Sequence, residues 1–156
     1  MTAAVQLSNR LKEVFLDGTW IANTNFKKQL ETTSWQQATQ QLGTQNTIAA
    51  LTFHINYYTA GVLQVCKGGV LGIRDIYSFQ CPSIQSETAW NELVTSFLCN
   101  ATALIQCVAA LSDEKLKSDF SEGKYGDFSK NIDGLIAHSY YHLGQLVLLK
   151  KMSINL

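Results

Sequence analysis

The sequence predicts an all-α protein, a four-helix bundle with long connections. Three observations lead there. The chain carries a single proline in 156 residues, and proline is the residue that helix interiors exclude most strongly. Apolar residues recur every third or fourth position over long tracts, the period of one face of a helix. Glycines or polar capping residues stand where those tracts begin and end.

The first helix is expected over Ala3 to Asp17, with Ala4, Leu7, Leu11, Val14 and Phe15 on one side and Gly18 as its stop. From Trp20 to Gly43 the periodicity breaks. Short helical pieces are expected there, one over Asn25 to Glu31 and one capped by Ser34 and ending at Gly43. The second long helix starts at Asn46, a good N-cap, and runs to Lys67 before Gly68-Gly69. Its stripe is Ile48, Leu51, Ile55, Tyr58, Val62 and Val65. The third runs from near Ser86 to Leu111, with Trp90, Leu93, Phe97, Ala101, Leu104, Val108 and Leu111 facing inward. The fourth begins near Ser129 and ends in Lys150-Lys151, cations suited to the negative end of a helix. Trp20, Trp35 and Trp90 read as core or interface residues.

Four such helices make a bundle the default architecture. Residues 68 to 85 reach roughly 60 Å when extended, well beyond the roughly 33 Å of the second helix. A crossover linking two parallel helices therefore fits there. The length is that of one domain covering residues 1–156.

Composition excludes several function classes. Twelve basic and twelve acidic residues leave no net charge, which argues against nucleic acid and against an anionic membrane surface. No stretch approaches 18 uninterrupted apolar residues, so no membrane span is expected. The N-terminus lacks the basic and apolar regions of a signal peptide. Cys66, Cys81, Cys99 and Cys107 form no CxxC and no close cluster. Reduced, buried or semi-exposed thiols are expected, with Cys99 and Cys107 acting as small hydrophobes in a helical pattern. These features point to a cytoplasmic protein, and its weakly charged surface tolerates a homodimer.

The chemistry-bearing residues are the three histidines, His54, His138 and His142. Positions 138 and 142 lie on one helix face, close enough to share a metal. Ser139 and His142 occupy places where the stripe of Ile132, Leu135, Leu146 and Leu149 needs core residues. Polar groups there must be satisfied by hydrogen bonds or a metal. His54 sits between Leu51 and Tyr58 at the edge of the second helix's stripe. Three neutral imidazoles suit Zn²⁺, Ni²⁺ or Fe²⁺ and leave a position open for water or substrate. The spacing by itself leaves metal ligands and hydrogen-bonded core histidines both open. Ser139 stands where an HExxH protease carries its glutamate, so that mechanism is unsupported. Asp133 reads as solvated. Gln145, one turn beyond His142, reads either as a partner for the free nitrogen of a ligand imidazole or as a packing amide. Tyr58 and Tyr141 are candidates to line a pocket, and core or dimer-surface packing stands beside that role.

The phrase NTIAALTFHI together with HSYYHLGQLVLLKK resembles the DinB/YfiT-like superfamily. Its members carry one histidine in the second helix and an HxxxH near the end of the fourth, commonly followed by Gly-Gln. Here those elements are His54, His138, His142, Gly144 and Gln145. The likeness extends through LKEVFLDGTWIANTNFKKQLE and AWNELVTSFLCNATALIQCVAALSDEKL, and so over nearly the whole chain. It implies a four-helix bundle, often dimeric, with a divalent metal held by the three histidines. Some members are thiol-dependent enzymes that join or isomerise small-molecule substrates with mycothiol, bacillithiol or glutathione. A metal with an open position lowers the pKa of a bound thiol, and it serves hydrolysis as well. The resemblance thus implies a metalloenzyme, with thiol transfer ahead of hydrolysis and a non-catalytic helical protein as the rival.

Overall fold

A computed structural model describes residues 1–153, and all its regular elements are helical, with no β-strand among the described residues. Residues 154–156, which the expected domain includes, lie outside the described residues. The elements are α1 (Ala3–Lys12), continued by a π turn over Glu13–Asp17, then α2 (Phe26–Glu31) and α3 (Trp35–Thr39). After these come α4 (Ile48–Cys66), a 3-10 turn at Asp75–Tyr77, α5 (Glu87–Ala109), α6 (Asp113–Lys117) and α7 (Phe128–Ser153).

Side-chain caps fix most of the starts. Thr2, Asn25, Ser34, Thr47, Ser86 and Ser112 each accept from a backbone N–H three residues on, satisfying a donor that the helix leaves orphaned. For α4 the cap is therefore Thr47 and not Asn46. The helix capped by Ser34 stops at Thr39 and does not reach Gly43. α7 begins at Phe128, one residue early, and Asp127 accepts from Lys130 N–H at 2.8 Å. α6 had no apolar period to announce it, because only Leu116 of its five residues is buried. At the end of α1 the Gly18 N–H reaches Glu13 O at 3.2 Å, a bond spanning five residues. A Cβ on Gly18 would lie 2.0 Å from Glu13 Cγ, so the wide turn needs glycine there.

The four long helices pack in a ring: α1 against α5, α5 against α4, α4 against α7, and α7 against α1. Phe15, Phe26 and Phe97 are fully buried and meet with ring centroids 5.2–6.0 Å apart. Trp90 is also buried and donates from its indole N–H to Thr33 O at 2.8 Å. The inward face of α5 is Trp90, Val94, Phe97, Ala101, Leu104, Ile105 and Val108, while Leu93 and Leu111 lie half-buried at its margins. Trp35 is half-buried, but Trp20 is 91% exposed. Of the two places expected for Trp20, the core is ruled out, because it sits exposed in the loop after the π turn. Among the described helices, α5 alone is long and apolar enough to cross a membrane.

The connection from α4 to α5 doubles back along α4. Ile73 packs beside Gly61, the Tyr57 hydroxyl donates to Arg74 O, Ser78 O faces His54, and the Cys81 thiol meets Ala49 O. The chain thus returns to the start of α4 before α5 begins. α4 and α5 therefore run parallel, and Asn56 of α4 faces both Ser96 and Asn100 of α5. α7 runs antiparallel to α4: Val62 shares a cavity with Lys130 near the start of α7, while Leu51 lies with Leu149 and Met152 near its end. All four cysteines are free thiols, but Cys99 is exposed on the outer face of α5 and packs against nothing in the core.

Candidate metal centre

The middle of α4 and the middle of α7 meet at the three histidines. His54 and His142 are buried, with 5% and 6% of their surface exposed, and His138 is half-buried. Their positions follow from the helical registers. His54 sits on the face of α4 continued by Leu51 and Ile55, and His142 takes a seam position of α7 between Ser139 and Leu146. Ser139 is fully buried and returns its hydroxyl to Leu135 O at 2.7 Å, so it leaves the site.

The three Nε2 atoms converge. His138 Nε2 lies 3.2 Å from His54 Nε2 and 2.9 Å from His142 Nε2. An ion about 2.1 Å from each nitrogen, with bond angles between a right angle and the tetrahedral value, places its donors roughly 3.0–3.4 Å apart. Two of the outer nitrogens are already engaged. His54 Nδ1 faces Ser78 O at 3.2 Å, and His142 Nδ1 faces the side-chain oxygen of Gln145 at 2.7 Å. Both partners are acceptors, so each imidazole carries its proton on Nδ1 and turns a bare lone pair inward. One proton on His138 Nε2 serves one of those lone pairs and leaves the other without a donor. A cation at the centre satisfies all three. The three histidines are thus placed to hold a metal ion, and the donor set is borderline, accepting several late first-row ions.

Burial lowers the pKa of every imidazole in the cluster. His54 falls furthest, to about 4, with the neighbouring His142 and His138 adding to the effect. The Ser78 carbonyl and the Asp75 carboxylate oppose this only in part. Neutral imidazoles at physiological pH are the form that binds metals.

Gln145 sits where its sequence position suggested, beside His142, and its amide N–H₂ donates to the Tyr141 hydroxyl at 3.1 Å. Tyr141 stands outside the cavity. It is 64% exposed on the outer face of α7 and meets His142 only edge-on, at 4.9 Å between centroids. Its expected place as pocket lining is corrected to that of a prop for Gln145. Tyr58 is half-buried between the histidines and the return segment, and its hydroxyl donates to Asp75 Oδ1 at 2.7 Å. Burial, then the hydrogen bond to Asp75, raise the pKa of that phenol.

Three residues near the centre had no signal in the sequence: Asp75, Ser78 and Phe79, all from the return segment. The Phe79 ring stacks on His54 at 3.9 Å between centroids and 12° between planes. Loop residues have no period to read. Only the length of the connection, sufficient to run back past His54, pointed toward them. Asp133, expected in solvent, is exposed and forms an ion pair with Arg10.

A cavity of about 380 Å³ opens beside His138, Tyr58 and Asp75. Comparison with protein-family models, with curated proteins and with solved structures finds no match to this chain.

Proposed function

We propose that this protein is a divalent-metal-dependent enzyme of the DinB/YfiT-like type, one four-helix bundle domain in which His54, His138 and His142 hold the ion. The observation that supports it most directly is the convergence of three Nε2 atoms, two of them on imidazoles whose Nδ1 already faces an acceptor. Zn²⁺, Ni²⁺ and Fe²⁺ all suit such a donor set.

When bound, the ion supplies Lewis acidity that eases deprotonation of a thiol or a water. The chain's own residues do the rest. Ser78 O and the Gln145 amide oxygen fix the tautomer of two ligands. Phe79 stacks over His54 and excludes water from one side. Asp75, held by the Tyr58 hydroxyl and exposed on its outer side, accepts a released proton and passes it to solvent. We assign a low-molecular-weight thiol as cosubstrate and S-transfer or isomerisation as the reaction, on the family likeness of the histidine-bearing segments. Hydrolysis is the second reading, favoured by the Asp75–Tyr58 pair as a base for water. A homodimer fits the exposed stripe of Ala137, Tyr141, Gly144, Leu148 and Met152 along α7.

Metal analysis of untagged protein tests the foundation. One equivalent of divalent ion is expected in the wild type and none in His142→Ala. Stoichiometric metal retained in that variant refutes the ligand assignment. Absence of metal from the wild type, with no rise in Tm on adding Zn²⁺ or Ni²⁺, refutes the enzyme reading and leaves a non-catalytic helical protein.

A further inference from the structure

The cavity beside His138 has two chemically different ends joined by an apolar wall. Val62, Leu71, Ile73, Phe120 and Leu135 form the wall. Asp75 marks the inner end, since Tyr58 binds it and the Tyr58 ring lies 5.3 Å from that of His138. Lys130 marks the outer end, eight residues before His138 on the same helix and so roughly 12 Å away along its axis. Lys130 is the only cation that lines the cavity, and it forms no ion pair among the described residues. Its stem lies across Gly126, where a Cβ would come within 2.9 Å of Lys130 Cδ. Gly126 itself has a φ of 80°, a conformation that side chains rarely adopt. The neighbour of Lys130, Asn131, has already committed its amide N–H₂ to Tyr125 O and Asp127 O.

The floor between the two ends carries Gly134. A glycine in a helix interior weakens the helix relative to alanine, and packing does not require this one, because a Cβ there would meet no atom within 4 Å. The space above it belongs to the cavity. Gly144, the other interior glycine of α7, lies on the exposed stripe instead.

We propose that this cavity binds an amphiphilic monocarboxylic acid with an alkyl or aryl body, its carboxylate at Lys130, its body over Gly134, and its far end beside His138 and Asp75. A single cation matches a single negative charge. Asp75 repels the carboxylate from the inner end, so the two charges set the direction in which the ligand lies. A cavity of this size is within the ordinary range for a small-molecule site. The proposal rests on the metalloenzyme reading for what happens at the His138 end, but not for binding itself.

Calorimetric titration with octanoate and with octanol, on wild type with and without zinc, separates the two. Octanoate is expected to bind about fivefold more tightly than octanol, the upper end for an exposed ion pair, with zinc or without it. In Lys130→Gln that preference disappears while octanol binding is kept. In Gly134→Leu both ligands weaken at least about tenfold, one buried side chain's worth of lost space. A preference that survives in Lys130→Gln overturns the proposal. If the surviving preference also requires zinc, the carboxylate sits on the ion, and the three-histidine reading stands alone. Unchanged binding in Gly134→Leu overturns the location. Failure of zinc to bind, with a preference that still follows Lys130, overturns the metal reading and leaves this one intact.

Discussion

Replacing Gln145 with leucine removes the acceptor of the His142 Nδ1 proton while keeping the side chain's bulk. In the wild type that bond is 2.7 Å long, and the amide is pinned from its other side by the Tyr141 hydroxyl at 3.1 Å. Loss of such a partner typically weakens metal affinity about 10- to 100-fold, or about 1.4–2.7 kcal/mol. At saturating metal the same free energy is lost from the loaded protein's stability. For a chain of this size each kcal/mol moves Tm by about 2–4 °C, so the loaded variant is expected to melt about 3–11 °C below loaded wild type. The apo forms should melt much closer together. Affinity is read by zinc competition against a chromogenic chelator, and Tm by circular dichroism with and without EDTA. Equal zinc affinity for the two proteins refutes the reasoning, because it means that nothing beyond His142 itself sets the ring's orientation.

Two further outcomes are expected. Without metal, stability should fall as pH drops from 6.5 toward 4. Unfolded His54 takes up its proton near 6.5, while the native residue stays neutral until about 4. The unfolded state then binds more protons, so stability is fully present above that window and lost on acidification through it. His54→Gln should flatten the profile in EDTA, and an unaltered slope would show that other groups cause it. In sedimentation velocity the wild type is expected to run as a dimer and Leu148→Glu as a monomer, since a charge in an apolar contact is poorly tolerated. A monomeric wild type removes α7 as an interface.

Periodicity made the long helices legible, because burial of a stripe is what holds each of them in place. Ile55, Phe97, Leu104 and Ile132 are fully buried as their spacing requires. Where burial and period part company, the sequence misleads or is silent. Trp20 is large and apolar yet exposed, and α6 carries one buried residue in five. Spacing made the histidines candidates, two on one helix face and the third at the edge of an apolar stripe, and the likeness to a histidine-bearing family joined them into one set. Their surroundings were not legible. Asp75, Ser78 and Phe79 reach the centre through the path of an irregular segment, which is set by the sum of its contacts along α4 and by no local pattern.

The return of that segment along α4 also orders the assembly of the site. His54 and the carbonyl that orients it are 24 residues apart, whereas His54 and His138 are 84 apart. Closing the shorter loop costs less conformational entropy, and both of its ends are synthesised before α7. A half-site consisting of one imidazole, its tautomer already chosen and one face covered, can therefore exist on the growing chain. The helix that carries His138 and His142 then meets an imidazole that is already oriented, so the three rings come together only when the two most distant parts of the chain do.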